Sequence, residues 1–347
     1  MHTKIWVVDN VVEIKEDYPQ LREAAKLLRE NEAIGFPTET VYGLGANAMN
    51  DEAIAKIFEA KGRPSDNPLI VHIGAKSQLT DIVREIPPVA DVLMKHFWPG
   101  PLTLILPKKD GISEKVTAGL DTVGVRMPDH PVALALIEEA NVPVAAPSAN
   151  RSGRPSPTLA SHVYEDLNGK IAGIVDGGAT GVGVESTVID CTSEVPTILR
   201  PGGITKEQLE EVIGPVSLDP ALKDETEKPK APGMKYTHYA PKAPLSIVEG
   251  SRAFIQQLVD NKKDEGYTVG VLTTEEYQHV YKADVVLSCG IRNDLASVAT
   301  KLYDVLRTFD TSKVDVIFSE SFPSDGIGNA IMNRLTKAAG HHVIFED

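Results

Sequence analysis

Four stretches combine cations, hydroxyls and amides at spacings that suit an anionic ligand. In "KGRPSDNP" (61–68), Lys61 and Arg63 close a helical pattern and Pro64 breaks it. Ser65, Asp66 and Asn67 then turn the chain into a strand carrying His72. That order delivers two cations, an amide and an imidazole to one end of a strand. Cations drawn to a helix C-terminus by its dipole are the plainer explanation of the first pair. "DTVGVRMPDHP" sets Arg126 at a strand end before a proline, with Gly124 leaving room for a bidentate carboxylate contact. A surface ion pair is the alternative there. "PVAAPSANRSGRPSPT" (143–158) ends a strand in Ala145 and Ala146, turns through Ser148 and Asn150, and continues with Arg151, Ser152, Arg154 and Ser156. Small residues let backbone approach a ligand, and hydroxyls with arginines match phosphate oxygens. The same residue types also build ordinary turns. "DGGATGVGVESTVIDC" and "TILRPG" add Ser186, Thr187 and Arg200.

"GFPTETVYGLGANAM" (35–49) poses a different question. Strand-like Val41 and Tyr42 follow Thr38, Glu39 and Thr40, and Gly43 and Gly45 come next. A strand that only builds a core avoids interior glycine, so the pair suits a backbone that something must approach closely. A hairpin or bulge at a sheet end explains the stretch as well.

Composition narrows the function. The chain has 347 residues, 42% hydrophobic and 24% charged, which suggests roughly two ordinary soluble domains. Its net charge is −14 and neither half is basic. Tight, non-specific nucleic-acid binding is therefore not expected, and basic clusters need a local, small-ligand reason. No apolar run approaches a membrane span and the first residues do not resemble a signal peptide. Cys191 and Cys289 stand far apart, as reduced structural thiols do, and a cytoplasmic location is expected. There is no G-x-x-x-x-G-K-[ST] loop, no H-E-x-x-H and no G-x-G-x-x-G; the nine histidines are scattered, so no protein-made metal site is expected.

The elements that must position these residues follow from periodicity. "PQLREAAKLLREN" repeats Leu21, Ala24, Ala25 and Leu28 on one helical face. "DEAIAKIFEAKGR" opens with Asp51 as the expected N-cap. Short strands are expected at "PLIVHI", "LTLIL", "TVGVRM", "VPVAAP", "GIVDGG", "STVID" and "TILR". Several follow one another without a helix, which favours a mixed α+β sheet over 1–213. Residues 214–244 lose periodicity and read as an interdomain linker. From 245 to 347 strands and helices alternate, as in a small Rossmann-like α/β domain.

Taken together, the K-x-R of "KGRPSDNP", the S-x-N of "SAN", "FPTETVYGLG", "STVID…ILRPG" and the linker "MKYTHYAPKAP" resemble the threonylcarbamoyl-AMP synthase family in its long, two-domain form. The resemblance covers nearly the whole chain. It implies a YrdC-like twisted mixed sheet in the first domain and a Rossmann-like second domain. It also implies a nucleotidyltransferase reaction: L-threonine, bicarbonate or CO2, and ATP give threonylcarbamoyl-adenylate and pyrophosphate. A downstream threonylcarbamoyl transferase would carry the group to tRNA.

Carried over by position, the resemblance puts Thr40, His72, Arg126, Ala146 and Ser186 around threonine. It puts Arg63, Asn67, Thr122, Ser148, Asn150, Ser156, Arg200 and His238 around ATP, with Lys61 and Arg63 as catalytic cations. The glycines and hydroxyls of 35–49 would then line one wall of the cavity. Mg2+ would be bound mainly through ATP phosphates. The linker's Met234, Tyr236, His238 and Tyr239 suit a lid over the active site, or else a tether whose aromatics pack on the second domain. Two further readings are a double-stranded RNA or tRNA-binding module, which the acidic balance disfavours, and a hydrogenase-maturation carbamoyl transferase, which two cysteines cannot supply with zinc fingers.

Overall fold

The computed structural model describes residues 2–8, 18–222 and 238–346. Chain contacts divide the protein into two compact units. The first comprises Met1–Ser152, Pro157–Gly181 and Glu185–Lys235; the second comprises Gly153–Ser156, Val182–Val184 and Tyr236–Asp347.

The first unit is built on one mixed sheet. Its strands are β1 (Lys4–Val7), β2 (Ile34–Phe36), β3 (Gly43–Asn47), β4 (Ile70–His72), β5 (Leu102–Pro107), β6 (Thr122–Arg126), β7 (Val144–Ala145), β8 (Gly173–Asp176), β9 (Thr187–Asp190), β10 (Thr197–Arg200) and β11 (Ser217–Leu218). They lie in the order β1-β8-β2-β3-β7-β4-β6-β5-β9-β10-β11. All seven strands expected after the helix at 51 are present. Central pairs alternate in sense: β4 and β6 are parallel, β7 and β5 antiparallel to them. One core gathers Leu44, Leu69, Val71, Leu104 and Val125. A second gathers Ile34, Phe36, Val132 and Leu136 with the helix Pro19–Arg29, whose Leu21, Ala24, Ala25 and Leu28 are buried as their spacing requires.

Two local readings are corrected. The helix Asp51–Lys61 is capped by Asn50, not Asp51: Asn50 is extended and its Oδ1 accepts from the Ala53 amide at 2.8 Å. Asp51 instead joins Glu52 in the first turn, where an acid favours the dipole. Gly62, at φ 61°, ends the helix in the left-handed conformation.

In 35–49 the strand starts at Gly43, and Val41 and Tyr42 belong to the loop between β2 and β3. The two glycines admit neighbouring side chains. A Cβ at Gly45 would stand 2.6 Å from Val144 Cγ1 and 2.7 Å from Phe36 Cε1; one at Gly43 would stand 3.2 Å from Phe36. Glycine here lets Phe36 cross its own hairpin. Gly45→Ala is expected to lower stability by about 1–3 kcal/mol through overpacking. Thermal melting checks this; an unchanged Tm would mean that Phe36 and Val144 retreat freely.

The second unit holds β12 (Leu245–Glu249), β13 (Val269–Thr273), β14 (Val285–Ser288), β15 (Val316–Glu320) and β16 (Val343–Phe345), ordered β14-β13-β15-β12-β16. Every neighbouring pair is parallel, so each connection must cross over; the helices Arg252–Asp264, Leu295–Thr311 and Ile327–Ala338 make three of the crossings, and the segment with the short 3-10 turn Glu275–Tyr277 makes the one from β13 to β14. Of the linker's large side chains, Met234 and Tyr236 lie outside the described residues. Tyr239 is buried and stacks on Tyr303 with centroids 5.1 Å apart, inside this unit. Arg154, expected near phosphate, pairs with Asp310 at 3.1 Å in the same unit.

Candidate active site

Three groups of the expected residues form in the first unit. The first is set by strand register. His72 on β4 lies opposite Arg126 on β6, and opposite Val144 on β7. Register partners share a face of the sheet, and the Arg126 charge acts on His72. Both side chains are about 4% exposed. Burial first, and Arg126 second, push the His72 pKa down to about 3, so its imidazole is neutral. Phe36 meets the ring edge-on at 6.0 Å. Ala146 follows β7, its amide donating to the Ile70 carbonyl at 2.8 Å. Gly124 leaves no open space beside Arg126: a Cβ there would meet Ile105 and Thr103 at 3.2–3.3 Å. The Arg126 guanidinium instead faces Glu39 Oε2 at 2.6 Å, and its Nε donates to the Gly100 carbonyl at 3.4 Å. Thr40 Oγ1 lies 2.9 Å from Thr38 Oγ1 beside Glu39.

Lys61, Ser148 and Asn150 form the second group. Lys61 Nζ donates to the carbonyls of Ser148 (2.5 Å) and Asn150 (2.7 Å), and to Asn150 Oδ1 at 3.4 Å. Ser148 Oγ donates to Asn150 Oδ1 at 2.6 Å. The helix end and the S-x-N turn are thus tied through one ammonium, which is only 2% exposed. Arg63, beyond Gly62, is half-buried as a side chain reaching past a helix end can be.

The third group joins Ser186 to Arg200. Arg200 Nη2 donates to the Ser186 carbonyl at 2.9 Å and to its Oγ at 3.2 Å, and Nε donates to the same carbonyl at 3.1 Å. Thr103 Oγ1 completes the set, 2.8 Å from Ser186 Oγ. Asn67 is buried ahead of β4 and Thr122 begins β6, half-buried. Ser156 and His238 belong to the second unit.

Two members of these groups escaped the sequence. Thr103 sits in the apolar run "LTLIL" and looked like core. Glu39 was visible in "PTET", yet no local pattern pairs it with Arg126. Among the described residues no group of three or more His, Cys, Asp or Glu is placed to hold a metal ion, and no helix is long and apolar enough to cross a membrane. Cys191 and Cys289 are both free and buried, and burial pushes each thiol up to about 12.

Known proteins resemble this chain over its length. Residues 26–202 match the family described as "Telomere recombination", and residues 204–340 match "Threonylcarbamoyl-AMP synthase, C-terminal domain". The threonylcarbamoyl-AMP synthase of Bacillus subtilis (strain 168) is 63% identical over 99% of this chain and 100% of its own. The chain belongs to the threonylcarbamoyl-AMP synthase family. A crystal structure of P. abyssi Sua5 complexed with L-threonine superposes with a TM-score of 0.93 at 49% identity, covering 99% of this chain and 100% of that one. E. coli YciO, 23% identical, shares the fold over 58% of this chain and 96% of its own, with a TM-score of 0.52. The family's two-part organisation therefore runs through the whole molecule, with a YrdC-like mixed sheet first.

Proposed function

We propose that this threonylcarbamoyl-AMP synthase family member joins L-threonine, bicarbonate or CO2, and ATP into threonylcarbamoyl-AMP, releasing pyrophosphate. The observation that carries the reading is the buried Arg126 guanidinium in register with the neutral His72 imidazole. A fork-shaped cation suits an amino acid's carboxylate. A neutral imidazole, which both donates and accepts, suits its hydroxyl. Thr40, Ala146 and Ser186 complete the threonine side.

Arg63, Asn67, Thr122, Ser148, Asn150, Ser156, Arg200 and His238 are assigned to ATP. Lys61 holds the S-x-N turn that presents Ser148 and Asn150, while Arg63 offsets phosphate charge. These donors fit phosphate oxygens rather than a bare cation, so Mg2+ would come with the nucleotide and supply further charge neutralisation there. The threonine amine is first carboxylated, and the carbamate oxygen then displaces pyrophosphate from the α-phosphorus. Such a displacement depends on positioning and charge stabilisation rather than on a covalent protein nucleophile.

The organisation proposed with it is a catalytic domain over 1–213, a linker over 214–244 that folds across the active site, and a Rossmann-like domain over 245–347. The all-parallel sheet of the second unit supports the last assignment. The product would pass to a downstream threonylcarbamoyl transferase, without tight binding of nucleic acid by this acidic chain, in the cytoplasm.

Pyrophosphate release is expected only when threonine and bicarbonate are both present with ATP and Mg2+, with threonylcarbamoyl-adenylate appearing by mass spectrometry. Equal release without threonine would overturn the assignment.

A further inference from the structure

The Glu39–Arg126 pair is an unusual object to find in a candidate binding site. Its charges stand 2.6 Å apart, with side chains 12% and 4% exposed. Yet neither Glu39 carboxylate oxygen nor Arg126 Nη2 makes a hydrogen bond. The two ions attract without the aligned donors that would repay their removal from water. Close by, His130 is 5% exposed with neither ring nitrogen hydrogen-bonded. The Glu39 charge reaches it: that charge raises the His130 pKa, although burial prevails and keeps it low. Asp129 feels the same carboxylate, which adds to burial in holding its acid above the usual range. The polar capacity around Glu39 therefore exceeds what the protein itself satisfies.

A free amino acid carries one anion and one cation a few bonds apart, and a site that binds it needs the complement of both. Arg126 provides for the carboxylate. Building on the threonine reading above, we infer that Glu39 receives the α-ammonium group of the substrate amino acid. On entry the zwitterion separates the resident pair: its carboxylate takes Arg126 and its ammonium takes Glu39. One poorly aligned ion pair is exchanged for two charge-assisted contacts. Paired in this way, each side chain neutralises the other, so neither stands as an isolated buried charge. Glu39 also fixes where the nitrogen that becomes the carbamate is held. It thereby sets a requirement for an amine that Arg126 alone cannot impose.

The test compares wild type with Glu39→Gln, which keeps shape and removes charge. Each is titrated calorimetrically with L-threonine, and with the hydroxy acid in which a hydroxyl replaces threonine's amine. Wild type is expected to bind threonine about 100-fold more tightly than the hydroxy acid. Glu39→Gln is expected to lose about 100-fold for threonine, the scale of truncating one partner of a buried charge pair. Its affinity for the hydroxy acid should stay level or rise, because Arg126 no longer has a resident competitor. A purely structural role for Glu39 would weaken both ligands alike, and that result overturns the inference. So does threonine affinity within about fivefold of wild type, the most an exposed pair contributes. Should Glu39→Gln fail to fold, Glu39→Asp retains the charge on a shorter arm, and the same split between the two ligands is expected at smaller size. A wild-type protein that binds ATP but not threonine would overturn the threonine reading itself. Threonine binding that ignores Glu39 would overturn this inference alone.

Discussion

Lys61→Met is expected to unfold the protein more readily before its effect on turnover can be read, whereas Arg63→Ala is expected to do the reverse. Both cations belong to one K-x-R motif, and the sequence offered no reason to separate them. The structure does. Lys61 is 2% exposed, and its ammonium donates to two backbone carbonyls and a side-chain oxygen of the 148–150 turn. Methionine keeps the apolar stem but leaves those acceptors in a buried place with no donor. Losing a charged donor and stranding its acceptors costs about 3–5 kcal/mol. In a domain of this size that lowers Tm by about 10 °C. Arg63 lies past the Gly62 cap and is half-buried. Its removal should lower Tm by less than half as much as Lys61→Met does, because less of it is buried. Turnover should fall by about 100-fold or more, if the guanidinium offsets phosphate charge in the transition state. Calorimetric melting and steady-state pyrophosphate release decide both cases. A Lys61→Met protein with wild-type Tm and impaired turnover would show that the ammonium serves substrate rather than the turn.

How much of this was legible depended on how far apart the determining residues lie. The short strands around the site were readable because runs such as "LTLIL" and "TVGVRM" carry β-branched residues between turn signals. The cation-and-hydroxyl motifs stood out as clusters, but the same residue types also build helix ends and turns, and Arg154 of one cluster pairs with Asp310. The N-cap was misplaced by one residue because Asn50 and Asp51 are both good caps, and only backbone geometry chose between them. The strand start in 35–49 was misplaced because β-propensity favours Val41 and Tyr42, while the ladder forms where Gly43 and Gly45 let Phe36 pack. The helix Pro131–Ala140, "PVALALIEEA", buries Val132, Ala133, Leu136, Ile137 and Ala140, but apolar Leu134 and Ala135 off that face blur the periodicity that would announce it. The Glu39–Arg126 and Thr103–Ser186 contacts are non-local, and single-chain patterning encodes no partner at that range.

Acidification should weaken this protein through His72, and replacing that residue should remove part of the weakness. In the native state the His72 pKa is pushed down to about 3, by burial above all and then by the Arg126 charge. In the unfolded chain it returns to roughly 6.5. Above that value both states carry a neutral ring, and His72 takes nothing from stability. As pH falls below it, the unfolded chain binds a proton that the native state refuses, so stability declines with pH until the native pKa is reached. By pH ~5 the loss from this residue is about 2 kcal/mol, and near pH ~3 it approaches 4–5 kcal/mol. His130, also lowered by burial but partly supported by the Glu39 charge, adds to the same limb. A His72→Asn variant therefore flattens the limb without abolishing it. The measurement is denaturant unfolding of both proteins at pH ~7.5 and ~5, with the stability gap between them as readout. The gap should shrink by about 2 kcal/mol in the acid condition, because wild type loses what the variant no longer has to lose. A gap that stays constant would mean that native His72 takes up its proton as an exposed imidazole does. The site would then hold two adjacent cations for the carboxylate, and the division of labour between a charged Arg126 and a neutral His72 would fall.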